Sequence, residues 1–204
     1  MFKISVFVSG RGSNLNAILN EEKKDPNLFK VVSIITDKSD CKAIEIAEEN
    51  NLKIYFVSSK QKEKFITYYE LSEILINQKI DLIVLAGFLK KIPDEFVDIF
   101  DKKIINIHPA LLPLFGGQGM YGMNVHSAVY NSGMKISGAT IHFVDKIYDD
   151  GKIIAQKAID ISTVRNPEEI AEAVLKVEHE LLPFVVRKFA EQKIKIIDNR
   201  VYIQ

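Results

Sequence analysis

The chain of 204 residues has a single cysteine, Cys41, so no internal disulfide can form and a disulfide-built secreted scaffold is excluded. Cys41 reads as a small, half-buried residue near a helix start. The chain has no surplus of either charge. Its 27 Lys and Arg balance 27 Asp and Glu, which removes the electrostatic footprint of nucleic-acid or anionic-membrane binding. The lysines of the C-terminal third are interleaved with Glu and Asp and read as a solvated face. No apolar run approaches the length of a membrane span. The opening "MFKISVFVSG" carries one lysine and a short apolar run ended by glycine, a first strand rather than a signal peptide. Metal-ligand spacing is also missing. His126, His142 and His179 fit no H-E-x-x-H pattern and no cysteines cluster, so no metal is expected. These absences predict a protein of the reducing cytoplasm that binds neither nucleic acid nor membrane. A chain of this length can bury about 70% of its unfolded surface and needs no covalent staple.

What is present is an alternation of strand-like and helix-like segments. Ile4–Ser9, Val31–Thr36, Ile54–Val57, Asp81–Ala86 and Ile104–Ile107 are short apolar runs, and "DLIVLA" lacks alternation, as a strand covered on both faces does. Between them, Leu15, Ile18 and Leu19 have helical spacing. Asp40 offers an N-cap for a helix through Ile44, Ile46 and Ala47. Lys62–Gln78 carries the apolar side of a long helix, and Pro93 suits the first turn of a short one. Beyond these, Pro109–Met123 reads as a loop with two prolines and four glycines. Ile136–Val144 and Lys152–Ile161 read as longer strands, and Pro167–Gln192 as one long helix. The pattern predicts the α/β class: a Rossmann-like, mostly parallel twisted sheet with helices on both faces, in one domain over 1–204.

Two stretches carry chemistry. "VFVSGRGSNL" runs from the first strand into a helix, where unpaired N–H groups and a partial positive charge bind anions. Gly10 and Gly12 match two positions of a dinucleotide fingerprint. Leu15 stands where the third glycine belongs, which weakens that reading, although Asp37 could pose as its ribose-binding acid. "IINIHP" ends a buried strand with Asn106 and His108 two apart, on the same side of the chain, followed at once by Pro109. An Asn amide donates to a developing oxyanion, and a His donates or moves a proton. An acid-working His needs a carboxylate to orient it. Asp145, Asp149 and Asp150 in "FVDKIYDDGKII" all qualify, and spacing alone does not choose among them.

Together, "VSGRGSNL", "VLAGFLKKIP", "INIHPALLP", "GATIHFVDKIYDDGKIIAQ" and "VEHELLP", in this order over nearly the whole chain, resemble the glycinamide ribonucleotide formyltransferases, folate-dependent enzymes of purine synthesis. In that family a single phosphate sits on the SGxGSN loop, so the missing third glycine is expected. The resemblance implies catalytic roles for Asn106, His108 and Asp149. It implies phosphate binding by Gly12, Ser13 and Asn14, and a ribonucleotide contact from Glu178. Leu89, Lys90, Lys91 and Ile92, with Asn106, Val144, Asp145 and Tyr148, fall on segments lining the folate pocket. Lys64 stands near the folate's glutamate tail, where the family often has Arg; Lys keeps the charge and loses the bidentate grip. The implied substrates are glycinamide ribonucleotide and 10-formyltetrahydrofolate, with residues 1–100 as the phosphate-binding half and 101–204 as the catalytic and folate-binding half. Monomer and homodimer are both compatible with the resemblance. The glycine-rich loop "LFGGQGMYGMNVH", longer than the family's common form, is expected to be a flap beside the site.

Rival readings remain at this level. A 10-formyltetrahydrofolate deformylase shares the catalytic trio but uses water as acceptor. Its resemblance begins only after an extra N-terminal domain, so the transferase is expected. Methionyl-tRNA formyltransferase adds a tRNA-binding domain and is expected less. An NAD-binding oxidoreductase, from Gly10, Gly12 and Asp37, and a catalytically dead nucleotide-binding module are further alternatives.

Overall fold

The computed structural model describes residues 1–60 and 62–204. The chain divides into two compact units, Met1–Ile105 and Asn106–Gln204.

The first unit holds β1 (Phe2–Phe7), α1 (Ser13–Lys24), β2 (Phe29–Thr36), α2 (Ala43–Glu49), β3 (Lys53–Phe56), α3 (Tyr68–Asn77), β4 (Leu82–Leu85) and α4 (Asp94–Ile99). The strand order is β3-β2-β1-β4 and each pair is parallel. The chain winds outward from β1 to β3 and then returns to the other side of β1 for β4. Right-handed crossovers therefore place α1 and α2 on one face and α3 on the other; α1 packs with α2, and α3 with α4. The reversal between β1 and β4 opens a crevice at their C-terminal ends, the usual ligand position in such sheets. Val6, Phe7, Ile34, Ile35, Leu82, Ile83 and Val84 are fully buried, as expected for central parallel strands.

Two expectations in this unit need correction. Asp40 does not cap α2, which starts at Ala43 with Lys42 in the cap position and no side-chain cap. Its first N–H is satisfied instead by the Gly10 carbonyl at 3.2 Å, so a tertiary contact replaces the local one. The helix expected from Lys62 starts only at Tyr68. Thr67 and Glu70 form a reciprocal capping box there. Ile66 is drawn into backbone hydrogen bonds with Phe56 and Ser58, and Lys62 and Phe65 close a tight turn.

The second unit begins within β5 (Ile104–His108) and continues through α5 (Met123–Asn131), β6 (Ile136–Phe143), β7 (Ile153–Asp160), α6 (Pro167–Ala190), β8 (Ile194–Ile197) and β9 (Arg200–Ile203). β6 and β7 are antiparallel, and α6 packs on both and on α5. Helix α6 has Asn166 as N-cap, Pro167 in its first turn and Arg187 and Lys188 in its last, each favourable to the helix dipole. Helix α5 and the β8–β9 hairpin were not foreseen. The apolar spacing of α5 is carried by Val125 and Val129 alone among its fully buried apolar residues, and the hairpin strands are only half-buried. Cys41 is more buried than its sequence suggests. Among the described residues no helix is long and apolar enough to cross a membrane.

His126, on the inner face of α5, is 6% exposed and its Nδ1 has no hydrogen-bond partner. Burial, with a smaller contribution from the charge of nearby His108, pushes its pKa down from 6.5 to about 4. The unfolded chain therefore takes up a proton near pH 6.5 that the folded chain refuses until about pH 4. The stability tied to this group is fully present above pH 6.5 and lost as the pH falls toward 4. The loss is on the order of 3 kcal/mol. Urea midpoints between pH 7 and pH 4 are expected to fall steeply, and His126→Leu is expected to flatten that slope. An unchanged slope in the variant would assign the acid sensitivity to other groups.

Candidate active site

In the first unit the glycine loop follows β1 directly. Gly12 adopts φ +76° at the start of α1, in the left-handed region, and a Cβ there would lie 2.9 Å from Ile46 Cδ1 and 3.0 Å from Ala43 Cβ. Glycine is required at this position for both reasons. Gly10 has no such demand: a Cβ would meet nothing within 4 Å. The first turn of α1 contains no acidic residue and Gly12 provides no side-chain cap, so its amide ends keep their positive potential. The helix is tied down at its far end by Glu22, which accepts from the Val31 N–H at 2.8 Å and the Lys30 ammonium at 2.6 Å. Ser13 is half-buried and Asn14 buried at this end.

Ser9 joins three loops. Its hydroxyl donates to Asp37 at 2.6 Å and accepts from the Leu89 N–H at 3.3 Å, and its own N–H donates to the Gly87 carbonyl. Asp37, the acid of the dinucleotide reading, is thus engaged in holding the ends of β1, β2 and β4 together. After β4, Leu89 is 44% exposed while Ile92 is buried, so Ile92 offers backbone rather than side chain. Lys90 is exposed, and Lys91 pairs with Asp94 at 2.8 Å. Lys64 is exposed at the tip of the turn before α3 with φ +67°.

In the second unit the chemical groups gather around one carboxylate. Asp149 sits in the β6–β7 loop with φ +56°, 12% exposed. Its Oδ2 lies 3.6 Å from His108 Nδ1 and accepts from the Gly117 N–H at 2.9 Å, while its Oδ1 lies 3.5 Å from His142 Nε2. Of the three aspartates open at sequence level, Asp149 is the one beside His108. Asp145 is turned to the Ile147 N–H at 2.9 Å. Asn106 Nδ2 lies 3.1 Å from His142 Nε2.

The tautomers follow from the partners. A ring nitrogen facing a carbonyl oxygen must donate. His142 Nδ1 donates to the Phe143 carbonyl at 2.8 Å, and its Nε2 lies 3.1 Å from the Asn106 amide nitrogen and 3.5 Å from Asp149 Oδ1. His108 Nε2 faces the Phe115 carbonyl at 2.8 Å, so it carries a proton. Its Nδ1 faces a carboxylate, which favours a second proton there. Burial works against that charge and lowers the His108 pKa below 6.5; Asp149 and the Phe115 carbonyl oppose the shift, and His142 adds to it. For Asp149 burial works to raise the pKa. The His142 contact, the charge of His108 and the Gly117 N–H outweigh it and hold the carboxyl below its ordinary value.

The exit of β5 is locked by a buried hydroxyl. Thr140 Oγ1 donates to the Ala110 carbonyl at 2.7 Å and accepts from the Leu112 N–H at 3.0 Å and from Gln156 Nε2 at 3.0 Å. This network sets the path of the chain just after His108. His142 is the participant that sequence reasoning passed over. The available signal was its place at the end of β6, seven residues before Asp149. Its importance depends on pairing across the fold, which no local pattern displays. Glu178 is a buried carboxylate on α6, and Val144, Asp145 and Tyr148 line the β6–β7 loop, with Tyr148 43% exposed.

The model of the family described as formyl transferase matches residues 2–186. A chloroplastic phosphoribosylglycinamide formyltransferase of Arabidopsis thaliana is 44% identical over 196 residues, covering 95% of this chain and 67% of that protein. The phosphoribosylglycinamide formyltransferase of Bacillus subtilis is 35% identical, covering 92% of this chain and 94% of its own length. The chain thus spans about two thirds of the plant relative and nearly all of the bacterial one. The crystal structure of phosphoribosylglycinamide formyltransferase from Anaplasma phagocytophilum matches with a TM-score of 0.89 at 32% identity, covering 100% of this chain and 93% of that one. The α/β fold expected from the sequence is the fold of these solved relatives.

Proposed function

This chain belongs to the formyl transferase family and transfers a formyl group as an enzyme of purine biosynthesis, and from that premise we propose which of its residues do so. The donor in this proposal is 10-formyltetrahydrofolate and the acceptor is the amine of glycinamide ribonucleotide. The amine attacks the formyl carbon, and a tetrahedral intermediate with a negative oxygen forms. Asn106 has two amide hydrogens; one is held by His142, and the other donates to that oxygen. The imidazolium of His108 stabilises the oxygen by its charge and protonates the departing folate nitrogen. Asp149 takes up, directly or through water, the proton lost by the attacking amine. The supporting observation is the contact of His108 with an ionised Asp149 beside the Asn106 amide.

The ribonucleotide's phosphate is assigned to Gly12, Ser13 and Asn14, and its ribose side to Glu178. Folate recognition is assigned to the backbone of Leu89–Ile92, to Asn106, to Val144 and Asp145, and to the exposed Tyr148, with Lys64 toward the glutamate tail. Residues 1–100 carry the phosphate site and 101–204 most of the chemistry in this division of labour. Ser13→Ala and Asn14→Ala are expected to raise KM for the ribonucleotide several-fold, with kcat changed less than about threefold, because they remove ground-state binding. An unchanged KM would overturn the phosphate assignment.

The deciding experiment measures tetrahydrofolate release from 10-formyltetrahydrofolate with and without glycinamide ribonucleotide. Release only with the ribonucleotide supports the proposal. Equal release without it would make water the acceptor and the reaction a deformylation.

A further inference from the structure

The segment Phe115–Gly117 touches both members of the acid pair, and does so through its backbone. The Phe115 carbonyl accepts from His108 Nε2 at 2.8 Å, and the Gly117 N–H donates to Asp149 Oδ2 at 2.9 Å. Phe115 holds φ +55°, an unusual conformation for a bulky residue, and Gly117 holds φ +96°, open only to glycine. Between them, Gly116 is wedged. A Cβ there would lie 2.6 Å from Leu112 Cδ2 and 3.2 Å from Asp149 Cβ.

We propose that Phe115–Gly117 is a positioning latch for the formyl-transfer pair, and that Gly116 is glycine so that this backbone can close onto His108 and Asp149 together. The idea rests on the catalytic assignment given above. The latch does two things. The carbonyl commits the His108 proton to Nε2, so that Nδ1 is the nitrogen turned to the carboxylate. The N–H holds one oxygen of Asp149 and leaves the other toward His142. Each contact favours the charged form of its partner: the carbonyl favours imidazolium and the N–H favours carboxylate. Loss of the latch therefore lowers the pKa of His108 and raises that of Asp149. The charged and titratable groups facing the pair are His142 from β6 and His126 from α5, and neither belongs to the segment.

Gly116→Ala tests this directly. Its backbone φ is not in the left-handed region, so alanine is allowed conformationally and acts through the clash alone. The expected result is a fall in kcat of at least tenfold with KM for the ribonucleotide unchanged, and a kcat–pH profile narrowed from both sides. Its acid limb moves up with Asp149 and its alkaline limb moves down with His108. Leu112→Val with Gly116→Ala removes the nearer clashing carbon and is expected to restore part of both kcat and width. A purely structural role would lower the melting temperature without moving either limb, and that outcome overturns the proposal. Should the variants fail to fold, the wild-type protein still decides. Its imidazole 15N spectrum is expected to show His108 protonated at Nε2, and a neutral ring protonated at Nδ1 alone would overturn the latch. This reading is independent of turnover, so failure of the transferase assay and failure of the latch are separable.

Discussion

Asp149→Asn is expected to lower kcat about 10³-fold while KM for the ribonucleotide stays within about threefold, as for a charge used in the transition state. The substitution keeps the shape of the side chain and removes its charge. His108 then loses the neighbour that most opposes the effect of burial, and its imidazolium becomes harder to form. Gly117 N–H keeps an oxygen to bind only if the amide oxygen occupies the Oδ2 position, which turns the amide nitrogen toward His142 Nε2. That nitrogen also faces the Asn106 amide nitrogen, at 3.1 Å. Two amide nitrogens would then crowd one ring nitrogen, and the Asn106 amide would be loosened as well. His108→Ala is expected to have an effect of similar size. Because the two act as one unit, the double variant is expected to be little worse than either single one. Stopped-flow measurement of a single turnover separates the chemical step from product release. A kcat within tenfold of wild type for both single variants would remove the pair from the reaction.

Gly151→Ala is expected to be the most damaging single-methyl change for stability. A Cβ at this position would lie 1.8 Å from the Phe143 carbonyl oxygen and 2.8 Å from its carbon. Both are backbone atoms of β6 and neither can swing aside as a side chain would. Accommodating the methyl means separating the start of β7 from the end of β6, where Phe143 N–H donates to the Lys152 carbonyl at 3.0 Å. Overpacking of this kind costs on the order of 3 kcal/mol, the upper part of the usual range. Asp149 is two residues away and His142 one residue before Phe143, so the same displacement opens the site. The expected observation is a lowered urea midpoint together with a loss of kcat that persists at temperatures where the variant is folded. A midpoint equal to wild type would mean that the loop absorbs the methyl by a route the backbone contacts do not suggest.

The first unit was largely legible from the chain. Apolar runs such as Ile4–Ser9 and "DLIVLA" are long enough and uniform enough to declare buried parallel strands, and the glycine loop announces the end of β1. The errors fall where a tertiary contact took over a local signal. Asp40 has the chemistry of a cap, but the Gly10 carbonyl reached the first amide of α2. The Lys62–Ile66 stretch has helical spacing, but its backbone was recruited by β3 and by a tight turn. In the second unit, α5 and the β8–β9 hairpin bury too few apolar residues for periodicity to reveal them.

For the site, the sequence by itself determined which residue types could do chemistry: an Asn and a His two apart at a strand end, three aspartates in one loop, and a glycine turn at a helix start suited to an anion. Those follow from local spacing and from donor and acceptor inventory, which the chain carries wherever it folds. The family resemblance singled out Asp149 among the aspartates, but only the tertiary structure put it beside His108, brought His142 between Asn106 and Asp149, and set the Phe115 carbonyl and Gly117 amide on the acid pair. The reason is that hydrogen bonds and pKa shifts depend on distances of about 3 Å between groups far apart in the chain. His108 and Asp149 stand 41 residues apart, and nothing in either segment alone encodes their meeting.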